Sequence, residues 1–202
     1  LPELLTPGDL LVVNNTRVVP ARLFGRKESG GRIEILVLEY GNQENKKTET
    51  RWCLLRSSKR PRKGSRLFFE GDHSGVVENL GQDGLIQITF QGPQSIDSLL
   101  EKSGMMPLPP YIRRKEKDPF SDLDRERYQT VFAERKGAVA APTASLHFTT
   151  QLLTRLRQAG ISLVHVTLHV GHGTFRPVRT PDSRDHRLGY EEYDLDPETA
   201  NI

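Results

Sequence analysis

The sequence predicts an α/β domain interrupted by a small antiparallel β module, and three observations lead there. Between Val18 and Phe90, short runs of alternating apolar and polar residues are separated by Gly, Asn, Ser and Asp, the spacing of a small barrel or sandwich. From Thr149 to Val170 a helical apolar stripe gives way to an apolar strand, the start of an α/β pattern. Met105-Met-Pro-Leu-Pro-Pro-Tyr-Ile112 is stiffened by its prolines into an extended crossing between the two parts. We therefore assign residues 1–17 and 113–202 to the α/β part and 18–112 to the insert. A length of 202 residues with 35% hydrophobic content suits one large or two small domains and suffices for a core.

The chain opens with a lead-in helix or loop, a turn at Pro7-Gly8-Asp9 and a strand over Leu10 to Val13. Asn14-Asn15-Thr16-Arg17 breaks that strand with side chains that hydrogen-bond their own backbone. Arg17 is a lone cation between two apolar strands, which calls for an anionic partner or a route to solvent. Six strands follow in the insert: Val18 to Arg26, Arg32 to Glu39, Arg51 to Arg56, Arg66 to Glu70, Gly75 to Leu80 and Leu85 to Phe90. Gly41 to Thr50 reads as a polar, mobile hairpin loop. Arg56 to Arg66 carries the cations Arg56, Lys59, Arg60, Arg62, Lys63 and Arg66 without an acid; it is either a phosphate-backbone footprint or a solvated loop. No aromatics interleave with them, so base stacking is not indicated there.

Ser95 and Gly104 bracket a short helix as cap and stop. Arg113 to Phe120 reads as a solvated loop or a second basic contact, and Asp122 to Ala133 as a helix. Gly137 to Ala141 is a strand or turn of small residues. Thr149 or Thr150 caps a helix running to Gly160 with Leu152, Leu153, Leu156 and Ala159 as its apolar stripe. Ile161 to Val170 is a strand, with His165 as a packed or surface histidine. Asp182, Asp185, His186, Glu191, Glu192 and Asp194 follow without a compact ligand pairing, so no metal site is expected. The chain begins without Met and stops at Ala200-Asn201-Ile202, just as a helix begins after Asp196-Pro197-Glu198, so we expect a fragment.

Chemistry concentrates between Tyr128 and Phe175. Of the chain's six histidines, His147, His169 and His172 stand in or beside turns of Ala, Gly, Pro, Thr and Ser. Small residues let a ligand approach the backbone, and an imidazole exchanges protons near neutral pH. No apolar run is long enough to span a membrane, and Leu1-Pro-Glu-Leu-Leu lacks the features of a secretory signal. The single cysteine, Cys53, excludes an internal disulfide framework and reads as a buried, inert thiol, which suits a cytoplasmic protein. No Walker loop, HExxH or GxSxG is present. Two classes remain: an enzyme using histidine acid/base chemistry on a polar substrate, nucleic acid included, or a nucleic-acid-binding module built on the basic loop.

Several blocks narrow the choice. Leu10-Leu-Val-Val-Asn-Asn-Thr-Arg-Val-Val-Pro-Ala-Arg-Leu-Phe-Gly25 resembles the opening motif of the S-adenosylmethionine:tRNA ribosyltransferase-isomerase family of queuosine biosynthesis. Gly31 to Leu36, Met106 to Ile112, Arg127 to Ala133, Gly137 to Thr149 and Thr167 to Val178 resemble that family's further blocks, in its order. The resemblance implies an α/β barrel-like domain with an inserted antiparallel β-barrel. It implies transfer and isomerisation of the ribosyl part of S-adenosylmethionine onto 7-aminomethyl-7-deazaguanine at the tRNA wobble position. Epoxyqueuosine-tRNA is the product, with adenine and methionine released. It also implies a monomer with tRNA and S-adenosylmethionine as partners, S-adenosylmethionine being a co-substrate, and with no metal or other cofactor. On this reading His147, His169 and His172 are the catalytic candidates; Arg17, Arg22, Thr143, Ser145, Gly171, Gly173 and Thr174 bind substrate; Lys59, Arg60, Arg62 and Lys63 bind tRNA. The sequence departs at Gly189, where the family usually has the second His of a His-x-Met-His-x-Glu-x-Tyr pattern, and the family's later blocks do not follow. A truncated, inactive tRNA-binding relative is therefore the alternative.

Overall fold

A computed structural model of the chain describes residues 1–41, 48–175, 180–185 and 189–202. In chain order, β1 (Leu10–Asn14) and β2 (Thr16–Val18) lead into β3 (Arg22–Lys27), β4 (Arg32–Val37), β5 (Thr48–Ser57), β6 (Arg66–Phe68), β7 (Ser74–Leu80) and β8 (Leu85–Gln91). Helices α1 (Ile96–Ser103) and α2 (Ser121–Arg127) precede β9 (Arg135–Ala138), α3 (Thr150–Gln158), β10 (Ser162–Leu168), β11 (Tyr193–Asp194) and α4 (Pro197–Ala200). The chain divides into two compact units, Leu1–Val18 with Glu126–Ile202, and Val19–Arg125. Among the described residues no helix is long and apolar enough to cross a membrane.

The second unit is a closed antiparallel barrel in the order β3-β4-β5-β8-β7-β6, so the alternative of a sandwich falls away. Its strands alternate because one face fills the interior: Leu23, Ile33, Ile35, Val37, Cys53, Leu67, Val77, Ile86 and Ile88 are nearly inaccessible. Burial also pushes the Cys53 thiol far above its ordinary range, so it is inert at physiological pH. Gly25 and Gly75 are needed where the barrel is tightest. A Cβ on Gly25 would stand 2.6 Å from the Phe68 carbonyl oxygen, and one on Gly75 2.6 Å from Ile88 Cγ2. Helix α1, capped by Ser95 Oγ accepting from Ser98 N, contributes Ile96, Leu99 and Leu100 to the same core.

One part of the interior is polar, which the sequence did not announce. Arg51 and Glu49 are 1% and 2% exposed and face each other at 2.7 Å. Glu49 Oε1 also accepts from Ile96 N at 3.2 Å, which ties the start of α1 to β5. Strand β5 begins at Thr48, so the end of the expected loop is strand; residues 42–47 of that loop lie outside the described residues. Arg114, expected in a solvated loop, is instead held by Asp124 at 2.7 and 2.9 Å and lies over the Phe120 ring.

In the first unit β10 pairs with β1 in parallel and with β11 antiparallel, while β2 pairs with β9 in parallel. Strands β9 and β10 therefore fall in different sheets, although α3 stands between them in sequence. Thr149 caps α3, and Leu156 is its fully buried residue, while Leu152, Leu153 and Ala159 are half-buried. The expected helix over Asp122 to Ala133 is only Ser121–Arg127. Gln129 leaves the helical path because its side chain bonds both the N–H and the carbonyl of Val18, at 3.1 and 2.8 Å. Thr130 Oγ1 then accepts from Phe132 N, a local turn that competes with helix.

Candidate active site

The carboxyl ends of the parallel strands bring three backbone segments together, the usual place for a ligand in α/β architectures. Strand β1 continues through Asn14-Asn15-Thr16, and β10 through His169-Val170. The backbone N–H groups of Val139 and Ala140 donate to Val170 O at 3.1 and 3.2 Å, drawing in the end of β9. Asn14 fastens the first two: its Oδ1 accepts from Thr16 N and Leu168 N, and its Nδ2 donates to Leu168 O. Asn15, 6% exposed, accepts from Thr167 Oγ1 at 2.7 Å and donates to Glu134 at 3.2 Å. Asn14 thus bonds local backbone as expected, but it ends β1 as a strand residue, and only Asn15 interrupts the path to β2.

His169 sits where these segments meet. Its Nδ1 is 2.7 Å from Thr16 Oγ1, and its backbone N–H donates to Glu192 O at 3.0 Å. Gly137 presses on the imidazole: a Cβ there would stand 2.6–2.8 Å from the ring's Cε1, Nδ1 and Nε2. Gly137 also has φ +154°, a conformation that side chains disfavour. Burial holds the His169 imidazole below its ordinary pKa; Glu192 opposes that, and Arg135 and Asp194 act in opposite senses. Arg135 and Asp194 are ion-paired across two exposed side chains, so their net influence is small. Burial thus favours the neutral imidazole, the form a general base needs.

The other predicted site residues are distributed as follows. His172, Gly173 and Thr174 lie on a 3-10 turn over His172–Phe175, and Gly171 N donates to Glu191 Oε1 at 2.9 Å. Thr143, Ser145 and His147 lie on another 3-10 turn, Thr143–His147, with Thr143 and His147 exposed and Ser145 half-buried. His165 is exposed, with its ring edge-on to Phe132. Arg17 is exposed on β2, and its guanidinium reaches Ala133 O at 3.4 Å. Arg22 belongs to the barrel unit, where it pairs with Glu34 at 2.8 Å and donates to Arg114 O. Lys59, Arg60, Arg62 and Lys63 are exposed. Arg60 braces the β7–β8 hairpin by donating to Gly81 O and Leu85 O, whereas Lys59, Arg62 and Lys63 have no acidic partner among the described residues. His186 and residues 176–179 lie outside the described residues. Among those described, no group of three or more His, Cys, Asp or Glu is placed to hold a metal ion.

The family model described as "Queuosine biosynthesis protein" matches residues 1–202. The chain belongs to the queuosine biosynthesis protein family. It is 52% identical over 201 residues to the S-adenosylmethionine:tRNA ribosyltransferase-isomerase of Trichlorobacter lovleyi, covering 98% of this chain and 55% of that protein. The enzymes of the same name from Geobacter metallireducens and Stenotrophomonas maltophilia are 47% and 51% identical, with 100% and 95% of this chain and 57% and 53% of theirs covered. A crystal structure of an S-adenosylmethionine tRNA ribosyltransferase from Thermotoga maritima is 28% identical over 99% of this chain and 48% of that one; its TM-score of 0.35 carries no fold argument. The chain spans about half the length of the curated relatives it matches.

Thr16, Asn15 and Gly137 belong around the site, and none of them was assigned a functional role from the sequence; Glu191, which also belongs there, was weighed only as a metal ligand and as part of the family's closing pattern. Thr16 and His169 are 153 positions apart, and only the parallel pairing of β1 with β10 joins them. The Asn-Asn-Thr run did carry a signal, an interruption of an apolar strand by small hydrogen-bonding residues, but turn formation accounts for that equally well.

Proposed function

We propose that the intact protein transfers and isomerises the ribosyl part of S-adenosylmethionine onto 7-aminomethyl-7-deazaguanine at the tRNA wobble position, yielding epoxyqueuosine-tRNA, adenine and methionine. The reading also takes the protein as a cytoplasmic monomer using no metal or resident cofactor, and the first unit as part of an α/β barrel-like domain. The parallel pairings of β1 with β10 and β2 with β9 support that architecture. The observation that carries the chemistry is His169, half-buried and held between Thr16 and Gly137, with burial favouring its neutral form.

A sulfonium acidifies the neighbouring C–H, so a base can withdraw that proton and leave an ylide-like carbanion, while a general acid protonates adenine as it departs. His169 acts as the base when Nδ1–H donates to Thr16 Oγ1, which leaves the Nε2 lone pair for the substrate proton. His172 and His147 are the candidate acids on the adjoining turns, and Thr143, Ser145 and Thr174 the hydrogen-bonding partners. Arg17, exposed on β2, is the cation available to a substrate carboxylate or phosphate. The side chains of Lys59, Arg62 and Lys63 are the corresponding contacts to the tRNA backbone.

Adenine release from S-adenosylmethionine, with and without tRNA carrying the aminomethyl-deazaguanine, tests the reading. Release only with that tRNA supports it. Unchanged turnover in both His169→Ala and His172→Ala would remove the assigned roles. Gly189, standing where the family usually has a His, favours a second reading, a tRNA-binding relative without turnover. Salt-dependent tRNA binding with no adenine formed would select that one.

A further inference from the structure

We propose that the outer face of β3, β4, β5 and β6 is a stacking platform for single-stranded RNA, separate from the loop cations Lys59, Arg60, Arg62 and Lys63. Strand register assembles it. Arg26 stands opposite Arg32 on β4 and opposite Phe68 on β6, while Phe24 stands opposite Glu34, which in turn faces Arg56 on β5. Side chains directly opposite one another share a face, so these residues form two adjacent rows on the solvent side, separated by the Gly25–Ile33 pair, while Leu23, Ile33 and Leu67 of the same strands point inward. Aromatic and cationic side chains therefore interleave in space although they do not do so along the chain.

Phe68 is presented to solvent and Phe24 is half-buried. Phe68 is 42% exposed, and Phe24 lines both of two neighbouring open cavities, of about 520 and 430 Å³. Arg22 lies 5.0 Å from the Phe24 ring centroid and is itself held by Glu34 at 2.8 Å. Arg22 thus braces Phe24 and neutralises the acid at the centre of the face. Arg26, Arg32 and Arg56 are exposed, with no ion-paired acid among the described residues; Lys115 and Glu116 stand at the rim of the larger cavity, and the smaller one, which Phe68 also lines, sets Arg26, Lys102, Lys117 and Arg125 against Glu70, Glu116 and Asp122. A diagonal pair such as Phe24 and Phe68 is separated by about 7–8 Å, so each ring can take its own base.

An aromatic pair flanked by guanidinium groups fits a polyanion with exposed bases. A duplex, whose bases are already stacked on each other, would use the charges alone. That the strand is a tRNA loop rests on the function proposed above; that it is single-stranded rests on the barrel. The test is fluorescence anisotropy of the full chain with labelled oligouridylate and, separately, with its duplex with oligoadenylate. Phe68→Ala is expected to weaken the single strand about tenfold and to leave the duplex unaffected, and Phe68→Trp to restore it. Replacing Arg26, Arg32 and Arg56 by Gln together should reduce the slope of log K against log salt for the single strand by about two. Phe68 is exposed enough for its variants to fold, which a thermal melt checks. No oligouridylate binding by the parent chain overturns the platform. Equal binding of strand and duplex, or wild-type binding by both Phe68→Ala and the arginine variant, does so as well. The adenine assay fails or succeeds independently, so binding through this face without turnover would retain the platform and reject the transferase reading.

Discussion

Replacing Gly137 by Ala tests the packing around His169 with a single methyl group. The new Cβ would fall 2.6–2.8 Å from three ring atoms, well inside contact distance, at a backbone φ of +154°. Holding a side chain in such a conformation costs roughly 1–3 kcal/mol. Overpacking a filled site adds roughly 1–3 kcal/mol if the ring stays in place. If the ring swings away, the overlap is relieved but the bond to Thr16 Oγ1 is lost, at about 0.5–1.5 kcal/mol. The first route destabilises the chain by roughly 2–6 kcal/mol and the second by roughly 1.5–4.5 kcal/mol, a large part of a typical folding free energy of about 5–15 kcal/mol. Urea unfolding measures the loss. NMR titration of the His169 ring separates the routes, because a displaced ring regains water and its pKa rises toward the ordinary value of about 6.5. A variant within about 0.5 kcal/mol of the parent, with an unshifted His169 titration, would refute the reasoning, since surface substitutions fall in that range.

Three further outcomes are expected. Burial lowers the His169 pKa, so the unfolded chain binds its proton first as pH falls; that residue's contribution is complete above about pH 6.5 and declines below it. His169→Gln should flatten that part of the pH dependence in urea midpoints, and an identical pH profile would contradict the assignment. Glu49→Gln leaves Arg51 buried beside a neutral partner and should cost about 3 kcal/mol, the low end for a broken buried pair because Asp97 lies 3.7 Å from the same guanidinium. Replacing Glu49 and Arg51 together by Leu and Met should recover most of that loss in the same unfolding measurement. Replacing Lys59, Arg62 and Lys63 by Gln should flatten the salt dependence of tRNA affinity by up to about three in log–log slope, and an unchanged slope would place the tRNA elsewhere.

The sequence by itself determined most strands of the barrel and the ends of α1 and α3, since these depend on local rules; the expected strand Val18 to Arg26 is the exception, because Val18 ends β2 beside β9 and the barrel strand starts at Arg22. Ile33, Ile35 and Val37 alternate because successive side chains leave a strand on opposite faces, and Ser95 and Thr149 cap because their side chains accept from the next turn. The family blocks were likewise legible, because close approach and proton exchange restrict which residues can stand there. Tertiary structure alone decided the rest. Closure of the barrel through Arg26 and Phe68, the buried pairing of Glu49 with Arg51, the early end of α2 at Gln129 and the contact of Thr16 with His169 all join residues that no local periodicity connects. Each depends on burial and on the pairing of buried polar groups, and both of those are set only once distant strands have chosen their neighbours.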